Sequence, residues 1–228
     1  RCMRAGLIGL AAYGFAALAL AQTRAPAAEQ YPACKEAAAT DDRRIVEICD
    51  VVDDIHERLA MRNSAHQRRV AQLNYALSSA LFVIGAGGDD LALADSIEAG
   101  RAAAAQYDSD GTRVRWAGAQ LQIAGALTVR ARRGGAAYAR EAAEVSRAAI
   151  AVTPRAQQPD LWAALNITNA HALMLLAEGG DRANLAEAVA AIRSALEIYR
   201  RPRFADERAR AEADLARVLQ ALGESSGT

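Results

Sequence analysis

The stretch Trp162-Ala163-Ala164-Leu165-Asn166-Ile167-Thr168-Asn169-Ala170-His171-Ala172-Leu173, running on through Leu176-Ala177-Glu178-Gly179-Gly180, decides the fold, because its landmarks return at intervals of 46 residues. Trp162-Ala163 aligns with Val70-Ala71, Trp116-Ala117 and Arg208-Ala209. Four residues further on stand Asn74, Gln120, Asn166 and Glu212. Eight on are Ser78, Ala124, Ala170 and Ala216, and eleven on are Leu81, Leu127, Leu173 and Leu219. Offsets of 4, 8 and 11 fall on one or two neighbouring faces of a helix. Each segment is therefore expected to be an amphipathic helix, here called helix A.

The same shift superposes Gly88, Gly134 and Gly180. A glycine at a fixed place after an apolar-periodic run predicts the left-handed residue that ends a helix. Beyond it a second helix, B, aligns Asp95, Glu141 and Glu187, then Ser96, Ala142 and Ala188. The register continues through Arg101, Arg147 and Arg193 to Ala103, Ala149 and Ala195. Ala142 and Ala149, like Ala188 and Ala195, lie seven apart on one face of helix B, where small side chains let helices approach closely. A two-helix unit cannot bury its apolar face alone, so successive units are expected to stack into a solenoid.

Outward from the three units, over 64–203, both ends differ from the repeat. Residues 30–60 predict a shorter helical hairpin, Pro32 to Ala39 and Arg43 to Leu59, turning at Thr40-Asp41-Asp42. Asp206 to Leu222, within 204–224, predicts a helix A without its B, and 225–228 a frayed tail. About nine helices in all follow from this reading, with atypical ends acting as caps.

At the N-terminus, Arg1 and Arg4 precede an apolar run from Ala5 to Ala21 that ends in Ala19-Leu20-Ala21. This is a secretory signal pattern over 1–21, followed by a linker over 22–29. The run is shorter than the roughly 20 residues a spanning helix needs, which favours cleavage over an uncleaved N-terminal anchor. The expected location is periplasmic or secreted, with no second apolar span. Cys2 leaves with the leader, and Cys34 and Cys49 remain in an oxidising compartment. There an even count suggests a disulfide across the hairpin, worth about 3 kcal/mol for a loop of this length. The competing reading is two buried free thiols. A metal needs more ligands than such a pair supplies.

Composition agrees with an all-α chain, since alanine is frequent, aromatics are 5% and prolines number five. Net charge is zero, with Lys35 the single lysine, and this balance argues against a nucleic-acid footprint. The clusters Arg130/Arg132/Arg133 and Arg200/Arg201/Arg203 fall where helices should end and where cations complement the helix dipole.

Trp162-Ala163-Ala164-Leu165-Asn166, Leu185-Ala186-Glu187-Ala188-Val189 and Arg193-Ser194-Ala195-Leu196 resemble bacterial tetratricopeptide-type repeats with elongated helices. Cys34 to Cys49 resembles the N-terminal hairpin of some exported members. The period departs from the standard unit of about 34 residues and lies nearer the roughly 40–47 of HEAT and armadillo units. The Trp-Ala start and the small-residue spacing in helix B still favour the former. The resemblance implies a right-handed superhelix of antiparallel pairs that binds a peptide or protein along the groove lined by its A helices.

No catalytic constellation is found. His56, His66 and His171 stand on different helices, away from metal-ligand spacing. The glycine pairs follow helices rather than strands, so no phosphate loop is implied and no cofactor is expected. Asn166-Ile167-Thr168 matches a glycosylation acceptor but lies mid-helix. Trp116 and Trp162 are better explained by packing between units than as ligand anchors, because Val70 and Arg208 fill the same register. Asn74, Gln120 and Asn166 form a polar ladder that serves either to hydrogen-bond a peptide backbone or as inter-helix polar contacts. An adaptor for a protein or peptide is the leading expectation. The rivals are an enzyme or enzyme accessory with a site assembled across units, and an architectural subunit that self-associates through its ends.

Overall fold

The computed structural model describes residues 25–40, 42–60, 69–109, 111–178 and 182–223. The leader, His66, Gly180 and the C-terminal tail lie outside them. The described residues are all-helical, with ten α-helices and one 3-10 turn. They are α1 Ala27–Gln30, α2 Pro32–Thr40, α3 Arg43–Ala60, α4 Val70–Ala86, α5 Asp90–Ser109, α6 Arg113–Arg133, α7 Ala136–Val152, α8 Pro159–Ala177, α9 Arg182–Tyr199 and α10 Ala205–Leu222. The turn Pro202–Phe204 precedes α10. The helix beyond the expected nine is α1, a single turn that begins inside the segment read as a linker and ends at Gln30. Asp53 holds it there by accepting from the Ala27 amide at 2.7 Å. The chain divides into two compact units between Thr112 and Arg113.

In the first unit α4 and α5 form the principal pair, and α3 packs on α4. The joint between α4 and α5 passes through Gly88 at φ +136, which a side chain rarely tolerates. Gly134, one period later, has φ +134. The shared glycine register thus reflects a shared backbone demand, although the φ is more extended than the left-handed cap expected. Where α4 meets α5, the Ser78 hydroxyl donates to the Ser96 carbonyl at 2.8 Å and the Ser96 hydroxyl donates to the Ser78 carbonyl at 2.8 Å. Nearby, Gly85 sits so close to Leu93 that a Cβ would lie 2.8 Å from its backbone nitrogen.

The hairpin α2–α3 is closed by the Cys34–Cys49 disulfide, with Cα atoms 6.0 Å apart. Both cysteines are buried in a core with Tyr31, Val52, Leu81 and Ile84. Asp89 fastens the hairpin to the repeat. One carboxylate oxygen caps α5 at the Ala92 amide, 3.0 Å, and the other accepts from the Ala33 amide of α2 at 3.2 Å. Asp95 adds a second tie, accepting from the buried Tyr31 hydroxyl at 2.9 Å.

In the second unit α6–α7 and α8–α9 are pairs joined by short connections, and α8 packs on both α6 and α7. The second and third repeats therefore stack as expected. The register positions Ala124, Ala142, Ala149, Ala170, Ala188 and Ala195 are all fully buried. Ala216, their counterpart on α10, is exposed. Trp162 packs at the edge of the core, with the Arg155 guanidinium 4.8 Å over its ring. Tyr199 closes the far end 5.3 Å from Phe204, and burial pushes its phenol up to about 12. Gly223, in the left-handed region at φ +75, ends α10.

Candidate functional site

Two clefts flank α8, and helical geometry decides which residues each receives. At about 100° per residue, Asn166 and Asn169 lie within roughly 40° of Trp162 around the helix. His171, Met174, Leu175 and Glu178 fall on the far side, about 120–220° away.

The far side opens into a cleft of about 420 Å³ between the A helices α6, α8 and α10. Arg132 comes from α6, His171, Met174 and Leu175 from α8, Glu178 from the residue that caps the end of α8, and Arg217 from α10. His171 Nε2 lies 2.7 Å from Asp214 Oδ2, and the Arg217 guanidinium donates to the other carboxylate oxygen. Asp214 is buried, with 8% of its side chain exposed. Burial pushes its carboxyl up, but the hydrogen bonds and charges of His171 and Arg217 outweigh this and hold it below the ordinary carboxylate range.

A carboxyl lowered in the folded state stabilises the fold above its unfolded value of about 3.9, and that contribution fades as pH falls through the folded value. Asp214→Asn is expected to cost about 1–2 kcal/mol at pH 7 through the weakened pair. The deficit should begin to shrink below about pH 4, where the unfolded carboxyl protonates, and close as pH falls through the lower folded value. Thermal melts across this range test it, and an equal deficit at pH 7 and pH 3 would refute the assignment.

The near side forms a second cleft of about 330 Å³ over α8, between the B helices α7 and α9. Asn166 and Asn169 floor it, and the Arg147 guanidinium bridges to Glu187 by two hydrogen bonds of 2.9 and 2.8 Å. These bonds lead the effects that hold Glu187 below its usual range, against desolvation, and the Asn169 amide adds to them.

The three residues of the polar ladder differ in burial and in neighbours. Asn74 is buried in the first unit, and Gln120 is half-buried on α6. Asn166 faces the B helices, with its amide donating to the Trp162 carbonyl at 2.8 Å. The A-helix cleft of the second unit is lined by Arg132, His171, Met174, Leu175, Glu178 and Arg217. Asn166 lies about 40° from Trp162 around the helix, so the packing that explains Trp162 also turns Asn166 toward the B helices. Asn166 is 7% exposed, so the glycosylation sequon offers no free acceptor. His56 sits half-buried on α3, outside both clefts. Among the described residues no His, Cys, Asp and Glu group is placed to hold a metal ion, and no helix is long and apolar enough to cross a membrane.

The described residues are all-helical, and in the second unit two stacked helix pairs leave a cleft on either side of α8. No family model, no curated protein and no solved structure matches the chain.

Proposed function

We propose that the chain is an exported, tetratricopeptide-like scaffold that binds a peptide or a segment of another protein in the cleft between its A helices. The observation that carries this reading is the convergence of Arg132, His171 and Arg217 beside Met174 and Leu175 in that cleft. Arg132 is exposed, and Arg217 spends one nitrogen on Asp214, so donors are left for a carboxylate. The adaptable thioether of Met174 suits an apolar side chain next to it. The ligand that fits is a polypeptide segment bearing an acidic and an apolar residue. Export draws on the leader pattern, and the disulfide suits an oxidising compartment.

The rival reading as an enzyme draws on the His171–Asp214 pair, which has the form of a base oriented by a carboxylate. It finds less support because the lining residues of that cleft include no Ser, Thr or Cys nucleophile.

Titration of the full chain with acidic-apolar peptides, read on the His171 ring resonances, tests the scaffold reading. Arg132→Glu is expected to weaken binding about tenfold or more, as loss of a charge-assisted bond plus added repulsion. If such peptides leave His171 unshifted, or if Arg132→Glu leaves their affinity unchanged, the reading fails.

A further inference from the structure

The cleft over α8 between α7 and α9 shares no lining residue with the A-helix cleft. The orientation of its two floor amides follows from their partners. The Trp162 carbonyl can only accept, so Asn166 turns Nδ2 toward it and keeps its own carbonyl oxygen over. The Glu187 carboxylate likewise only accepts, so Asn169 turns Nδ2 toward Glu187 and leaves Oδ1 over. Asn169 is 4% exposed, and its Oδ1 has no hydrogen-bond partner. A buried carbonyl without a donor is costly, which sets it apart from the satisfied polar groups around it.

Beside the Arg147–Glu187 pair this cleft therefore carries two amide carbonyls as acceptors and the Ser194 hydroxyl, which can accept as well as donate. The walls are aliphatic, from Ile150 on α7 and Ala190 on α9. Acceptors below and methyl groups at the sides match a charged nitrogen carried on a chain of methylenes. One such group is already there. Arg147 is a cation on an aliphatic stem, with its side chain about half exposed at 47% and held at Glu187.

We propose that this cleft binds a primary ammonium on an alkyl chain, either a lysine side chain of a polypeptide or a free diamine, which takes Glu187 from Arg147 and donates to Asn169 Oδ1. Arg147 acts as the internal competitor that closes the site when it is empty. Half-exposed, the pair is screened by water despite its two-bond fork, which lowers the cost of the exchange. A tetrahedral ammonium directs three donors to Asn166, Asn169 and Glu187, which the planar fork of a guanidinium does not.

The test uses the full chain labelled with ¹⁵N and titrated with three probes: Nα-acetyl-lysine methylamide, 1,5-diaminopentane and the same lysine derivative acetylated at Nε. The Asn169 side-chain amide resonances report on the site. The two amines are expected to shift them and the Nε-acetylated compound to leave them in place. A response to the lysine derivative alone assigns a polypeptide source, and a response to the diamine alone assigns a free amine. Glu187→Gln, on a half-exposed side chain, should weaken amine binding about tenfold, and Arg147→Met should strengthen it several-fold by freeing the carboxylate. Equal binding of the acetylated probe, or no gain from Arg147→Met, overturns the proposal. Arg132→Glu should leave amine affinity unchanged, which separates this site from the acidic-peptide cleft.

Discussion

Replacing Cys34 and Cys49 together by alanine is expected to destabilise the first unit by about 3 kcal/mol, within the usual range for losing a native disulfide. The bond closes a sequence separation of 15 residues and lies in the core. Its removal frees the unfolded hairpin and also thins the packing around Val52 and Leu81. The second unit should be spared. Trp116 and Trp162 both belong to that unit, so their fluorescence reports on it alone. Hydrogen exchange of the α2–α3 amides, with and without reductant, reports on the first. Unchanged protection after reduction would show that Asp89 and Asp95 hold the hairpin without the bond.

Gly85→Leu is expected to cost about 3 kcal/mol, the upper end for inserting side-chain bulk where helices already touch. A Cβ on residue 85 would stand 2.5 Å from Leu93 Cγ and 2.8 Å from the Leu93 backbone nitrogen. The side-chain atom can move aside, but the nitrogen moves only if α5 shifts. Gly85→Ala gives the more informative sign. Helix propensity alone favours alanine by about 1 kcal/mol, so a net loss in a urea melt measures the crowding, and a net gain would mean that α5 gives way. Ala131 and Ala177 fill the same register in the later repeats, which carry the Cβ that Gly85 lacks.

Much of the fold was legible because repetition multiplies weak local signals. The hairpin helices and the lone last helix, expected over Pro32 to Ala39, Arg43 to Leu59 and Asp206 to Leu222, lie within one residue of α2, α3 and α10, and the helices between them fall in the expected order of pairs. The helical turn at Ala27–Gln30 was not legible. A turn this short has little local preference, and it is held by Asp53, 26 residues away along the chain. The candidate site was legible only in part. Asn166 was singled out for its register, whereas its neighbour Asn169, with the unpaired carbonyl, carried no repeat signal.

The sequence by itself determined the period, the helix ends, the positive-φ links at Gly88 and Gly134 and the buried small residues, since each follows from spacing along one chain segment. Only the tertiary structure decided which face of α8 meets which neighbours. That choice brought His171 to Asp214, 43 residues on, and Arg147 to Glu187, 40 residues on. Such pairings depend on how far each helix rotates about its own axis when it packs. A repeat period records the order of helices and leaves that rotation to the packing.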